Sequence, residues 1–318
     1  MTGNWLRRTM MTVACASFTL LAACGSGTIE SALNPARLVV FGDGMSDVGQ
    51  SGARYTVNDG AVNTWIEQLA ARYSLSVKPS SAGGAVYARG NARLTAKPDA
   101  AGNAATATVT EQIDSFLAAN PTVAPNDLVI VNAGLSDIIA EMASHRAGTQ
   151  TEAQFTEKVK QAGRELGAQV RRLTVAGAKH VVVVGPYNLG RSLWAPETGK
   201  GGLLTEVTNR FNEEMLVSVV DLGDRVLYVD AAFFFNLLIG TPAGYELGDA
   251  TKVACTSIDS GNGIGIGTGQ VNSLLCTPST IAAGLDYKLQ VFADKIYFNP
   301  MANRKFGDYA FDRVRARW

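Results

Sequence analysis

The apolar residues of the chain recur in four short runs, each rich in Val, Ile and Leu and each bounded by turn-forming residues. Continuous apolar runs of this length are typical of strands that are buried on both faces of a parallel sheet. We therefore predict four such strands, at residues 37–41, 128–131, 180–184 and 226–229.

Segments of helical period lie between these runs, so strand and helix alternate along the chain. The alternation predicts an α/β protein with a parallel sheet that is covered by helices on both faces. Residues 85–94 are a further extended piece, either a connection or an edge strand. In such folds ligands bind outside the carboxyl ends of the strands. The predicted helices cover residues 63–73, 110–120, 152–176 and 203–222.

The last part of the chain contains one more helix and one long irregular segment. Residues 299–318 carry an apolar side chain at every fourth position, so they predict a final helix that packs on the sheet. Residues 241–290 have no helical period, and a segment this long is usually a functional lid or a decorated loop. Its glycine-rich run at 261–269 does not lead from a strand into a helix, which argues against a dinucleotide site.

Length and composition fit one large domain with an ample core, because the chain has 318 residues of which 47% are hydrophobic. Lys plus Arg equals Asp plus Glu, at 28 each. This balance lacks the positive excess with which a protein attracts nucleic acid, so we expect no nucleic-acid partner.

The N-terminus has the features of an export signal. Arg7 and Arg8 form a basic start, and the apolar run that follows is too short to span a bilayer comfortably. The run ends in Leu-Ala-Ala-Cys, which resembles the box of bacterial lipoproteins, whose cysteine is lipidated and becomes the first mature residue. The resemblance implies a signal over residues 1–23 and lipidation of Cys24. An ordinary secretory signal is the alternative.

If Cys24 is the first mature residue, the mature chain consists of a tether and one domain. A flexible tether would cover residues 24–34, and one domain would cover 35–318, with 241–290 as a long loop insertion. In the lipoprotein rule an Asp after the cysteine favours retention in the inner membrane, and Gly25 stands there instead. We therefore expect an outer-membrane lipoprotein of the bacterial cell envelope, on either the periplasmic or the surface face.

Two cysteines remain after the signal and the proposed lipid site are set aside. In an oxidising envelope, Cys255 and Cys276 would most often form a disulfide, worth about 3 kcal/mol for a loop of this size. The alternative is a metal or redox pair, for which the chain lacks histidine partners and CxxC spacing.

Residues 38–47 read Leu-Val-Val-Phe-Gly-Asp-Gly-Met-Ser-Asp. This stretch resembles the opening motif of the GDSL (SGNH) ester hydrolases, in which an apolar strand runs into Gly-Asp-Ser-Leu-Ser-Asp and the first serine attacks the ester carbonyl. Gly44 occupies the position of that nucleophile. The resemblance therefore implies the fold of the family, a three-layer α/β/α sandwich around a parallel sheet of about five strands, similar to flavodoxin. The chemistry must be argued separately.

Further blocks follow in the order of the family. Residues 87–92, Tyr-Ala-Arg-Gly-Asn-Ala, resemble Tyr-Ala-x-Gly-Gly-Ala, which would make Gly90 the backbone donor of the oxyanion hole. Residues 133–137, Ala-Gly-Leu-Ser-Asp, resemble Ala-Gly-x-Asn-Asp, with Ser136 at the position of the oxyanion asparagine. Residues 185–191 resemble the Pro-x-x-Leu-Gly turn of the family.

The last block of the family is Asp-x-x-His, and it aligns with Asp294 and Tyr297. Tyr297 then takes the place of the histidine, and no histidine follows His180 in the sequence. Ester hydrolysis needs a base poised near pH 7, whereas tyrosine titrates near pH 10. In a comparable triad, loss of the nucleophile or the base alone costs on the order of 10⁶ in turnover. The usual mechanism should therefore be lost, although part of the oxyanion hole survives in the backbone of Gly44 and Gly90.

Other residues could in principle restore catalysis. Ser46 is a possible surrogate nucleophile, but it is more simply explained as a cap in a first helical turn. His145 is expected in a loop on the rim that carries the site, where a solvated role explains it. His180 begins a strand at the opposite end of the sheet and is expected to be structural.

Four carboxylates, from Asp43, Asp47, Asp137 and Asp294, should gather near the same pocket and could hold a hard cation. Simpler roles are available for each of them. Asp43 and Asp47 would bond turn amides, Asp137 would cap a helix, and Asp294 would persist from a triad. We therefore expect neither a metal nor a cofactor.

The sequence predicts an exported lipoprotein of the ester-hydrolase family that binds an acylated lipid, polymer or glycan with little hydrolysis. One alternative is an active carboxylic ester hydrolase that uses Ser46 or Ser136 with an unusual base. Another is a structural or partner-docking lipoprotein of the envelope. The expected partners are the acylated ligand and, through Cys24, a membrane.

Overall fold

The computed structural model describes residues 33–318. The predicted signal over 1–23, lipidation at Cys24 and the tether up to residue 32 lie outside this part of the chain. None of the helices within 33–318 is long and apolar enough to cross a membrane.

The core of the molecule is a sheet of four parallel strands, which stand side by side in chain order. The α/β class predicted from the apolar runs is confirmed, and all four strands lie where the sequence placed them. The second strand is buried along its whole length, as expected for a strand covered on both faces. The strands are β1 (Arg37–Gly42), β2 (Asp127–Asn132), β3 (His180–Val184) and β4 (Val226–Tyr228).

The sheet has four strands rather than about five. The extended segment after residue 84 runs along the free edge of β1, where Val40 N–H donates to Ala85 O at 3.0 Å and Tyr87 N–H donates to Val40 O at 2.7 Å. A third bond joins Arg89 N–H to Gly42 O at 3.0 Å. The chain then turns away at Asn91, whose φ is 63°, so the segment forms only an isolated bridge with β1.

Seven helices of two turns or more surround the sheet within residues 33–318, five of them as predicted. The two that the periodicity missed are α3 and α7, and neither has a clear polar face. Most of the first two turns of α3 is buried, and the sequence of α7 is apolar almost throughout, with Phe233 and Leu237 exposed. The helices are α1 (Trp65–Arg72), α2 (Val109–Ala119), α3 (Leu135–Arg146), α4 (Glu152–Val175), α6 (Gly201–Val219), α7 (Ala231–Gly240) and α8 (Pro300–Arg317), with a single turn, α5 (Ala195–Thr198), before α6.

The helices pack in close pairs. The rings of Trp65 on α1 and Phe306 on α8 are 5.1 Å apart, and a β-carbon on Gly307 would lie 2.7 Å from the carbonyl oxygen of Trp65. Helix α4 contacts α6 through Gly163 and Gly167, where a β-carbon would likewise collide with the neighbouring helix. Glycines at these positions let the helix axes approach closely.

Residues 241–290 are more ordered than a plain loop. They contain strand β5 (Asp249–Val253), which pairs in parallel with β6 (Gln290–Phe292) in a second, two-stranded sheet. The predicted disulfide is present, with the Cα atoms of Cys255 and Cys276 5.8 Å apart. Both cysteines lie within the segment, so the disulfide closes a loop inside it, and the buried cysteines pack with Val57 and Ala293 of the rest of the domain.

Candidate functional site

The candidate site lies at the carboxyl edge of the main sheet, because β1, β2 and β3 all end there. Gly42, the last residue of β1, has a φ of 150°, and a β-carbon there would lie 2.9 Å from the carbonyl carbon of Asn132. Only glycine lets the two strands end so close together. The turn after β1 therefore brings Asp43 and Gly44 beside the start of α3 and beside the segment before α8.

The ring of Tyr297 occupies the space into which a side chain at position 44 would extend. A β-carbon built on Gly44 would lie 2.8 Å from Cζ of Tyr297, and closer still to its hydroxyl oxygen. Real β-carbons do not approach other atoms so closely. The Tyr297 ring can therefore occupy this space only because residue 44 is glycine. The two residues that stand at the nucleophile and base positions of the resembling family are thus brought together as a packing pair.

Tyr297 is buried in an aromatic setting. Its ring lies 4.8 Å from the ring of Tyr55, and its hydroxyl has no hydrogen-bond partner among the described residues. Burial is the main cause that raises the pKa of Tyr297 well above its ordinary value, and the nearby charge of Asp43 raises it further. The phenol is therefore neutral and unable to serve as the general base.

The backbone N–H of Gly90 is already engaged, since it donates to a carboxylate oxygen of Asp47 at 2.9 Å. The other oxygen of Asp47 accepts from Gly49 N–H and Gln50 N–H, each at 2.8 Å. A β-carbon on Gly90 would collide with the ring of Tyr55. Gly90 is thus placed beside the site, but its N–H stabilises a turn and is not free to receive an oxyanion.

Asp43 is fully buried and joins the turn after β1 to the start of α3. It accepts from Met45 N–H at 3.2 Å, from Leu135 N–H at 3.1 Å and from Ser136 N–H at 3.4 Å. Burial raises the pKa of Asp43 to about 7, against the opposing effect of these amides. The hydroxyl of Ser136 is buried close by and has no hydrogen-bond partner among the described residues.

Ser46 lies in a turn and not in a helix, so the expectation that it caps a first helical turn is wrong. Its hydroxyl donates to Oδ1 of Asn132 at 2.8 Å and accepts from Nε1 of Trp65 at 3.1 Å. The side chain is completely buried between these partners. A hydroxyl held in this way cannot meet an ester without a rearrangement of the core.

Asp137 also differs from its expected role as a helix cap. It lies inside the first turn of α3, accepts from Leu94 N–H at 3.1 Å and stands 3.5 Å from Nε of Arg93. Burial raises the pKa of Asp137 to about 7, and the charge of Arg93 opposes the rise. The carboxyl group joins α3 to the segment that leaves the edge of β1.

Asp294 is bonded entirely to backbone amides. One oxygen accepts from Ile296 N–H at 2.8 Å and Tyr297 N–H at 2.7 Å, and the other accepts from Ser273 N–H at 2.9 Å. Burial raises the pKa of this carboxyl group. The acid of the resembling motif therefore joins the disulfide-containing segment to the rim of the sheet.

Neither histidine contacts the site. His145 bonds through Nδ1 to Gln150 O at 3.2 Å and stacks on Phe155. His180 starts β3 at the other end of the sheet, with its ring 5.0 Å from that of Trp318. Within residues 33–318 there is also no group of three or more His, Cys, Asp or Glu side chains that could hold a metal ion.

Two cavities open beside the filled site. One, of about 220 Å³, is lined by Tyr55, Gly90, Asn91 and Asp99. The other, of about 430 Å³, lies between α3, the loop at 98–102 and the glycine-rich run, and Asp99 lines it as well. The smaller cavity is lined mainly by polar and charged side chains, and the larger one combines Arg93, Asp99 and Arg146 with apolar residues such as Trp194 and Ile266. The rim thus keeps polar space next to the position where the family's nucleophile would act.

Three residues that define the site were missed by the sequence analysis, namely Tyr55, Trp65 and Asn132. Trp65 lies in the helix predicted at 63–73, and Tyr55 stands outside every motif block. Asn132 directly follows the strand predicted at 128–131, and a polar residue at the carboxyl end of a buried strand was a signal that could have found it.

Replacing Tyr297 by Phe is expected to stabilise the protein. The substitution removes a buried hydroxyl that has no partner, and such a group costs about 1–3 kcal/mol. Urea unfolding should therefore show a higher midpoint for Tyr297→Phe with an unchanged slope. Tyr187→Phe is the matched control, because Tyr187 Oη donates to Ile296 O at 2.7 Å and its loss should destabilise. A destabilised Tyr297→Phe would mean that the hydroxyl has a partner in solution.

Comparison with known proteins identifies the family. The model of the GDSL-like lipase/acylhydrolase family matches residues 38–310, which is most of the chain. The chain therefore belongs to the GDSL-like lipase/acylhydrolase family, as the motif blocks predicted. No characterised protein matches the sequence closely enough to add to this.

Several solved structures are similar to this one at low sequence identity. Est24, a carbohydrate acetylesterase from Sinorhizobium meliloti, is 16% identical with a TM-score of 0.47, and an aryl esterase from M. smegmatis is 18% identical with a TM-score of 0.44. A lipolytic G-D-S-L family protein from Veillonella parvula is 11% identical with a TM-score of 0.42. Each comparison covers 89% of this chain and 99% of the other.

Proposed function

We propose that this member of the ester-hydrolase family does not hydrolyse esters at the family's site and instead binds an acylated ligand on the same rim of the sheet. The observation that carries the proposal is the packing of Gly44 against Tyr297. The pair removes the nucleophile and the base together, and the tyrosine ring fills the space that the side chain of a nucleophile at position 44 would need.

The hydrogen bonds that two backbone N–H groups form at the rim support the same proposal. An oxyanion hole works when preorganised N–H groups point at the developing charge. Here the N–H of Gly90 is bonded to Asp47, and the N–H of Ser136 points to Asp43. Both N–H groups face carboxylates of the protein, so the Gly90 N–H, one of the two predicted backbone donors, is not available to a tetrahedral intermediate.

The two cavities favour the sugar part of a ligand over a long acyl chain. Their lining includes the side chains of Arg89, Asn103, Ser144 and Arg146, which suit hydroxyl and acetyl groups. Of the ligands predicted from the sequence, an acylated glycan therefore fits best. A working esterase through Ser46 is disfavoured because its hydroxyl is buried between Asn132 and Trp65.

A fluorophosphonate probe is expected to leave the purified protein unlabelled, because no serine at the rim combines an exposed hydroxyl with a base. Intact-protein mass spectrometry measures the adduct, and an active serine esterase in the same tube serves as the control. Labelling at Ser46 or Ser136 that is lost on mutation to alanine would contradict the proposal.

In a second measurement, acetylated sugar oligomers should raise the Tm of the protein, since a ligand that binds the native state stabilises it. The variant Arg89→Gln should show a smaller rise in Tm.

We further propose that the protein is exported and anchored through a lipid on Cys24, with an address in the outer membrane. The support is the basic and apolar start followed by Leu-Ala-Ala-Cys, together with the buried disulfide, which fits an oxidising compartment. Incorporation of labelled palmitate that is lost in Cys24→Ser would support the anchor. An unlabelled protein would overturn it.

A further inference from the structure

The rim of the sheet opposite to the site has an unusual surface. Three valines stand there largely in solvent, with Val175 exposed by 82%, Val217 by 70% and Val220 by 78%. They lie at the carboxyl ends of α4 and α6, which are joined at this point by a bond from Arg171 Nη2 to Ser218 O at 3.0 Å. Isolated exposed valines need no explanation, but three at one end of a helix pair form an apolar patch.

Positive side chains and an indole stand next to the valines. The segment after α6 contacts the C-terminus, where Trp318 Nε1 donates to Asp224 O at 2.7 Å and Arg317 Nη2 donates to Gly223 O at 3.0 Å. A cavity of about 480 Å³ at this rim is lined by the cationic Lys179 and Arg225, the acidic Asp224 and the indole of Trp318. Neither Lys179 nor Arg225 forms an ion pair within residues 33–318. Trp, Lys and Arg beside apolar side chains are the composition of a surface that meets lipid headgroups.

The described chain also enters the fold on this rim. The N–H of Leu33 donates to the carbonyl oxygen of Trp318 at 3.1 Å. Nine residues, 24–32, precede Leu33 in a mature chain that begins at Cys24. Even fully extended, nine residues span only about 30 Å, so a lipid on Cys24 would keep this rim close to the bilayer.

We propose that this rim rests on the surface of an anionic phospholipid bilayer. The valines contact the headgroup and acyl boundary, and Lys179, Arg225 and Arg317 contact lipid phosphates. The proposal rests on the anchor proposed above, because the tether gives the patch its high local concentration at the membrane. It places the candidate site and its two cavities on the side that faces away from the bilayer.

The test uses Trp318 as a natural reporter. The full chain is produced with its signal, purified as the membrane-bound form and placed in vesicles of phosphatidylethanolamine and phosphatidylglycerol with brominated acyl chains. Outside the predicted signal the other tryptophans, Trp65 and Trp194, are buried at 0% and 2% exposure. We expect bromine to quench part of the tryptophan emission, and Trp318→Phe to abolish that part.

Variants then identify the face. The pair Val217→Asp and Val220→Asp should lose the quenching, while palmitate incorporation and unfolding midpoint stay unchanged because both positions are exposed. Ile258→Asp is the matched control, an exposed apolar residue on the disulfide-containing segment, and it should keep full quenching. A lipidated protein without bromine quenching would overturn the proposed face and leave the anchor intact. A protein that takes up no palmitate would overturn the anchor, and the face proposal that depends on it would fall with it.

Discussion

The triple variant Gly44→Ser, Ser136→Asn and Tyr297→His is expected to hydrolyse short p-nitrophenyl esters about 10²-fold faster than the wild type. The serine supplies the missing hydroxyl, and the smaller histidine vacates the space that the Tyr297 ring takes from position 44. Asp294 is already three residues before the new histidine and can orient it. Initial rates at neutral pH measure the gain.

The single variant Gly44→Ser should behave differently. Its side chain would be forced against the ring of Tyr297, and overpacking of this kind costs about 1–3 kcal/mol of stability. Gly44→Ala in the triple background is the matched control, since it has the same packing without a nucleophile. If the triple variant folds and hydrolyses no faster than this control, the assignment of the site is wrong.

The second large effect is expected in the pH dependence of stability, through Asp137. Burial raises its pKa to about 7 in the folded protein from 3.8 as a model compound. The folded state therefore keeps a proton that the unfolded state releases near pH 4, so stability falls as pH rises from about 4 to about 7. Three pKa units correspond to about 4 kcal/mol.

Replacement of Asp137 by Asn removes this dependence while keeping an acceptor for Leu94 N–H. Relative to the wild type, the unfolding free energy of Asp137→Asn should increase by about 4 kcal/mol between pH 4 and pH 8. Urea titrations at several pH values measure the difference, with the exposed Asp312→Asn as the control for loss of one carboxylate. A difference that does not change with pH would show that Asp137 is ionised in the folded protein at all these values.

Much of the architecture could be predicted from the sequence, for a physical reason. Strands buried on both faces must be apolar throughout, so the runs at 128–131 and 180–184 mark β2 and β3 almost without ambiguity. Helix α3 was missed because contacts on most sides remove the periodic contrast on which such predictions depend. The segment at 85–89 was correctly described as extended, but hydrogen bonds to β1 alone do not make it a full strand.

The site was only partly predictable. The motif blocks placed Gly44 and Tyr297 in the same pocket, but they gave no sign that the tyrosine ring fills the space of the missing side chain. The spacing of the motifs indicates which residues lie near each other, but it does not indicate which hydrogen bonds their N–H and O–H groups form. For this reason the engaged N–H of Gly90 and the bonded hydroxyl of Ser46 could be learned only from the structure.

Asp294 has a structural role that does not depend on catalysis. Its carboxylate accepts a hydrogen bond from Ser273 N–H and so joins the disulfide-containing segment to the rim of the sheet. The stability of the fold alone would therefore favour an aspartate here, whether or not the site turns over a substrate. An aspartate at this position is for that reason no evidence of catalytic competence by itself.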